Sequence, residues 1–332
     1  MLKEILEQKK CFKLICGAGN EDVDSVEKLV AVYAAAGCKF FDISADNKVI
    51  AAAKRGFERV KQEQKKYLCI SIGTKNDVHF KKAKIDKSIC LNCYKCVSNC
   101  PQKAIDTNLI VNQEKCIGCG RCEISCPTKS IFYEEKKMHL RQILAELILD
   151  DIDCIELHVG DEVDCLEKWE ILRKCFSGML SICIGRKKFS DEKMIGILEK
   201  LLRDRKPYST IIQADGSPMS GGVDDFESTL QAVSVGNLIQ KADLKQYLIV
   251  SGGTNSKTME LSKICSVDIN GVAIGSFARK IVAKYIDRQD FWDNQEVFDK
   301  AVCEAKNLIS KLFGYNYRTF QKKGSSYLKK LC

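Results

Sequence analysis

The sequence predicts an α/β fold, a (β/α)8 TIM-like barrel interrupted by a small cysteine-rich module. Three observations predict it. Eight short apolar or β-branched runs alternate with longer stretches of helical periodicity, the pattern of a parallel sheet. A window from residue 75 to 136 breaks that alternation and holds eight of the 19 cysteines. Glycine-rich turns follow the last two apolar runs, as in barrels whose strand ends build a ligand site.

The first run is 12–17, followed by helical periodicity over Val23–Ala36. Runs 38–44 and 67–73 flank a helix over Lys48–Gln64. After the cysteine-rich window a helix over Leu140–Leu149 leads to run 152–159, then to a helix over Cys165–Cys175. Runs 178–185, 208–216, 247–253 and 269–276 complete the set. Helices over Asp191–Arg205, Asp224–Ile239, Ser256–Ile264 and Ala278–Ile286 follow them in turn. Eight strands each followed by a helix predict a closed barrel from 1–74 and 137–289. Residues 75–136 are then an insert after the third strand, on the face where barrels place their sites. Residues 290–332 form a helical extension over Glu296–Phe313 and a basic tail, expected to pack across the barrel bottom or side.

The insert contains two copies of one spacing. Cys90, Cys93, Cys96 and Cys100 precede Pro101; Cys116, Cys119, Cys122 and Cys126 precede Pro127. Three thiolates two residues apart cap three irons of a cube, and the fourth reaches the partner cube. The prediction is two [4Fe–4S] clusters, one held by Cys90, Cys93, Cys96 and Cys126, the other by Cys116, Cys119, Cys122 and Cys100. The fourth cysteine of each motif is expected to start a short helix. Gly118 and Gly120 are expected to let backbone N–H groups approach the sulfurs, and Ile105, Ile110, Ile117 and Ile131 to shield them. A pair of zinc sites is the competing reading, but zinc motifs prefer two CxxC pairs across a longer loop. The scattered cysteines, among them Cys11, Cys154 and Cys183, read as packed small hydrophobes.

Strand ends supply the other candidates. Glu156 and His158 close the fourth strand on one side of it, and Asp215 closes the sixth. These three are the candidate catalytic residues. Ser251, Gly252, Gly253 and Thr254 after the seventh strand, with Gly275, Ser276 and Arg279 after the eighth, predict a site for FMN or another phosphate-bearing ligand. The competing reading is that these small residues only make tight turns. The loop from Gly216 to Gly222 reads as a ligand or partner loop, and His79 as structural. No GxGxxG fingerprint follows any strand, so nothing points to a Rossmann-type dinucleotide site.

A charged fraction of 29% and no apolar run of about 18 residues exclude a helical membrane span. The first residues show no signal-peptide pattern, so the expected compartment is cytoplasmic, where a disulfide framework is not expected. The net charge of +9 concentrates at 75–87 and in the tail, and reads as a solvated surface. Charge alone supports a nucleic-acid partner, and nothing else does.

The stretches FKLICGAGN, FFDIS, HFKKA, QADGSPMSGG, SGGTN and GVAIGSFAR together resemble the light-dependent period protein family, iron–sulfur proteins of cyanobacterial circadian input. The resemblance runs from about residue 12 to about residue 285. It implies the same eight cysteines as cluster ligands. It also implies a protein that reads redox state and passes it to a redox or signalling partner, such as a clock or histidine-kinase assembly. It implies no reaction at the barrel mouth. Two functions follow: a redox sensor or electron-transfer protein, or an oxidoreductase whose clusters feed electrons to a ligand in the barrel.

Overall fold

The computed structural model describes residues 1–60, 64–75, 77, 80–135, 140–147, 149–217 and 222–314. His79, residues 218–221 of the glycine-rich loop and the tail beyond residue 314 lie outside the described residues.

The chain opens with α1 (Leu2–Glu7), β1 (Cys11–Ile15), α2 (Val23–Ala35), β2 (Phe40–Ser44), α3 (Asn47–Glu58) and β3 (Tyr67–Gly73). The insert follows with β4 (Lys81–Ile85), α4 (Lys95–Ser98), α5 (Arg121–Ser125) and β5 (Ile131–Glu135). The alternation resumes with α6 (Leu140–Glu146), β6 (Cys154–His158), α7 (Glu162–Cys175), β7 (Met179–Gly185), α8 (Asp191–Leu202) and β8 (Thr210–Asp215). It ends with α9 (Phe226–Lys241), β9 (Tyr247–Ser251), α10 (Thr258–Ile264), β10 (Gly271–Ile274), α11 (Ser276–Ile286) and α12 (Gln295–Phe313).

The predicted barrel is present. Its eight parallel strands close in the order β1-β2-β3-β6-β7-β8-β9-β10, with β10 pairing back onto β1. β3 pairs β6 directly across the insert, Ser71 opposite Glu156. The insert forms its own antiparallel pair, β4 with β5. Most barrel helices begin at a polar side chain that accepts a first-turn N–H: Asp22, Asp46, Asp161, Ser190 and Asp225 serve α2, α3, α7, α8 and α9. Helix faces such as Val26, Leu29 and Tyr33 of α2 then bury against the outside of the sheet. Each fully buried side chain of this size contributes about 1.5–3 kcal/mol.

The lower barrel interior is apolar. Phe40, Tyr67, Met179, Ile249 and three thiols, Cys11, Cys69 and Cys154, fill it. Leu2 and Leu6 of α1 close it from below, and Asn270 Nδ2 donates to the Leu6 carbonyl at 3.1 Å. The bottom is therefore sealed by an N-terminal helix that periodicity did not assign. α12 packs on the side, against α2, α10 and α11. Cys175 and Cys265, expected to pack as small hydrophobes, are exposed; each sits at the C-terminal end of a helix.

Candidate functional site: two cysteine cages and a barrel cleft

The eight motif cysteines separate into two groups. Cys90, Cys93, Cys96 and Cys126 line one pocket, the first cage, walled by Ile85 and Leu109. Cys100, Cys116, Cys119 and Cys122 line another, the second cage, walled by Ile105 and Ile117.

Local geometry explains the grouping. Asn92, Tyr94, Gly118 and Gly120 occupy equivalent positions in the two motifs, and all four have positive φ, between 52° and 82°. These left-handed residues fold each CxxCxxC run into a tight loop. Asn92 and Tyr94 accept strain that Gly118 and Gly120 avoid. The short helix lies elsewhere than the sequence suggested. α4 and α5 contain the third cysteine of each motif and stop before the fourth. Pro101 and Pro127 account for this, since the residue before proline is disfavoured in helical conformation.

The sulfurs are wrapped by donors. Ala83 N reaches Cys116 Sγ at 3.4 Å, Ala104 N reaches Cys100 Sγ at 3.2 Å, and Ser130 N reaches Cys126 Sγ at 3.3 Å. Asn92 N reaches Cys90 Sγ at 3.5 Å. Gly118 and Gly120 supply the turn, and the Arg121 N–H, next to Gly120, bonds Cys119. Ser130 hydrogen bonds pull the Cys126 thiol down to about 7, whereas burial pushes Cys96, Cys119 and Cys122 up. Ile105, Ile117 and Ile131 are buried, but Ile110 is exposed and Leu109 takes the inward place.

The cages fit an iron–sulfur cube better than a single ion. Zinc with tetrahedral thiolates at about 2.3 Å draws its sulfurs to within roughly 4 Å of one another. Among the described residues, the one trio of ligand atoms lying within 4.8 Å of each other is Glu156, His158 and Cys183, not any three cage thiols. A cube spreads its four thiolates over its corners.

At the barrel mouth lies a cleft of about 630 Å³, open to solvent. Ser251, Gly252, Gly253 and Thr254 line one wall, continued by Gly275, Ser276 and Arg279. His158 and Asp215 also line it, and Glu156 lies beneath, against His158. The predicted candidates are thus brought together at one place. Gly252 has φ 74°, and a Cβ there would stand 2.2 Å from Asp215 Oδ1, so the glycine is required for packing as well as for the turn. Thr254 is committed, its hydroxyl donating to the Ala273 carbonyl at 2.6 Å. α11 begins at the cleft wall, at Gly275 and Ser276, with no side-chain cap on its first turn. Arg279 Nη1 donates to the Ile15 carbonyl at 2.7 Å, which holds its guanidinium at the cleft wall. Ile117 lines both the cleft and the second cage.

Beneath the cleft runs a buried polar network. Lys13 Nζ donates to Glu156 Oε2 at 2.6 Å and to Gln213 Oε1 at 3.0 Å, and lies 3.2 Å from Asp42 Oδ2. Ser71 donates to Asp42, while Ser181 and Gln213 donate to Glu156. Burial opposes the Lys13 charge, but Asp42 and Glu156 outweigh it and raise its pKa well above the ordinary value. The amine is therefore held as ammonium, not as the neutral nucleophile that Schiff-base chemistry needs. Burial works against the Glu156 carboxylate, yet Lys13 and His158 hold it down at about 2. His158 is raised to about 9, against its burial, by Glu156 and Asp77. Asp215 goes the other way, since burial lifts it to about 6. The Glu156, His158 and Cys183 trio is thus already charge-paired, with Cys183 kept a thiol by burial.

Sequence reading missed Lys13, Gln213 and Ser181. A lysine inside the apolar run FKLIC was the available signal, for it shares a strand face with Cys11 and Ile15. Lys82, counted with the solvated lysines of 75–87, is instead buried. Arg186 pairs with Asp191 and stays outside the cleft. Among the described residues, no helix is long and apolar enough to cross a membrane.

Comparison with known proteins agrees with this architecture. Residues 69–137 match the LdpA Fe-S cluster-binding domain, and residues 146–311 match the Light dependent period A C-terminal domain. The chain is 28% identical over 330 residues to Light dependent period A of Synechococcus elongatus, covering 93% of each protein. Among solved structures it is similar to a Coccidioides immitis chain described as a fructose-1,6-biphosphate aldolase (TM-score 0.52, 9% identity, 94% of this chain and 93% of that one). It is also similar to the YdjI aldolase of Escherichia coli K12 (TM-score 0.50, 8% identity, 96% and 98% covered). At such identity these two show the barrel fold alone. The chain is an iron–sulfur protein and belongs to the Light dependent period A family.

Proposed function

We propose that the protein holds two [4Fe–4S] clusters and serves as a redox sensor or electron-transfer protein for a protein partner. The separation of eight thiols into two cages of four carries this reading. Cys90, Cys93, Cys96 and Cys126 would hold one cluster and Cys100, Cys116, Cys119 and Cys122 the other. Bound clusters supply one-electron storage and transfer. The chain's own residues set their surroundings. Backbone N–H groups of Ala83, Asn92, Ala104 and Ser130 stabilise the thiolates, and Leu109, Ile117 and Ile131 exclude water. The first cage is the outward one, because Cys93 is exposed and flanked by Leu91 and Tyr94, 68% and 48% exposed. That rim suits a redox or signalling protein partner.

Iron analysis of anaerobically purified protein tests this reading. About eight irons per chain are expected, and Cys93→Ser is expected to remove about half. A variant that keeps all its iron sinks the ligand assignment.

A second reading is favoured by Ile117, the shared wall of the second cage and the cleft. In it the cleft takes FMN or another phosphate-bearing ligand at Gly252, Gly253, Ser276 and Arg279. His158 and Asp215 then serve as proton-bearing groups and the protein is an oxidoreductase. Flavin released by acid from the same sample would support it. Unchanged sulfate or FMN binding in Arg279→Met would remove that site assignment.

A further inference from the structure

We propose that Lys82 is the positioning residue of the second cage: it docks that cage's ligand loop on the barrel mouth and places a buried positive charge beside it. The proposal rests on reading the cages as cluster sites. Lys82 lies on β4, where the insert leaves the barrel, and is only 7% exposed. Its Nζ donates to the Gly19 carbonyl at 2.7 Å and to the Cys116 carbonyl at 2.8 Å. Gly19 belongs to the turn after β1 and lines the cleft. Cys116 is the first thiol of the second motif. One ammonium therefore joins a cleft turn to a cage loop.

The neighbouring bonds reinforce that junction. Ala83 N, the next residue, donates to Cys116 Sγ at 3.4 Å, so Cys116 is held at both its carbonyl and its sulfur. Glu21 N donates to the Glu114 carbonyl at 2.9 Å, and Glu21 Oε2 stands 3.9 Å from Lys82 Nζ. The first cage is supported differently. The groups bonded to the Cys90 and Cys126 sulfurs are those of Asn92, Thr128 and Ser130, neutral groups of the insert itself.

The consequence is electrostatic. A buried charge interacts through a lower effective dielectric than a surface one. A fixed cation beside a cluster favours its more negatively charged, reduced state and so raises its midpoint potential. Lys82 thereby adds a buried charge to one of two cages built from one duplicated motif.

The test is a redox titration, followed by electron paramagnetic resonance, of the full chain purified anaerobically with its iron. Wild type, Lys82→Met and Lys82→Arg are compared. The expected result is that Lys82→Met shifts one midpoint to lower potential and leaves the other in place, while Lys82→Arg retains most of the wild-type value. Two unshifted midpoints in Lys82→Met overturn the proposal. Where Lys82→Met loses the iron of one cage, Glu21→Gln replaces it: removing the countercharge should raise the same midpoint, and an unmoved midpoint overturns the proposal. Wild-type protein lacking about eight irons per chain overturns the two-cluster reading itself, which the iron count reveals before any midpoint is read.

Discussion

His158 Nε2 lies 3.2 Å from Glu156 Oε1, with both side chains buried in the upper barrel. Their pairing makes stability depend on pH in a defined direction. Burial disfavours the imidazolium, but Glu156 and Asp77 raise its pKa from 6.5 to about 9. A group whose folded pKa is raised contributes in full below its unfolded value and loses that contribution as pH rises through the folded one. Stability is therefore expected to decline between pH 6.5 and about 9, by about 3 kcal/mol at most. His158→Gln should flatten the curve. Melting temperatures measured across this range check it, and a level wild-type curve would contradict the pairing.

Lys13 on β1 neutralises two carboxylates across the barrel interior, Asp42 on the adjacent β2 and Glu156 on β6, beyond β3. Lys13→Met leaves Asp42 and Glu156 buried without their cation. Removing one partner of a buried pair costs about 3–5 kcal/mol. Urea denaturation should show that loss, and adding Glu156→Gln should recover part of it. Additive losses in the double variant would mean that the two residues are not coupled.

Asp215 lines the cleft against Gly252, burial lifts its pKa to about 6, and on the proposal that the cleft takes an anion its charge would oppose that anion. Below that pH the carboxyl is neutral and above it is charged. Sulfate, whose own charge is constant here, should therefore bind more tightly below pH 6 than above it, by roughly tenfold. Asp215→Asn should abolish the dependence. Calorimetric titration at pH 5 and pH 8 decides it, and pH-independent binding by wild type would remove Asp215 from the cleft's electrostatics.

The barrel was legible because a parallel strand buried on both faces leaves a continuous apolar run between turns, as in YLCISIG of β3. The cage cysteines were legible because their chemistry fixes their spacing. α1 was not, since six residues are too few to display a period. The Lys13–Glu156 pair was not, because its members are 143 residues apart and only barrel closure joins them. Lys82 resembled its solvated neighbours, since what buries it is the Gly19 carbonyl on a distant turn. The cleft glycines remain doubly explained: Gly252 meets a packing need against Asp215 whether or not an anion binds beside it.

The β4–β5 ladder sets Lys81 opposite Glu135, so the insert leaves and rejoins the barrel at adjacent points. Loop-closure entropy depends on the length of chain that must be gathered before its ends meet. With that ladder formed, the seam between β3 and β6 closes over residues 74–80 and 136–153, the latter carrying α6, instead of the whole intervening sequence. To the folding barrel, the cysteine module then costs little more than an ordinary strand-to-helix turn.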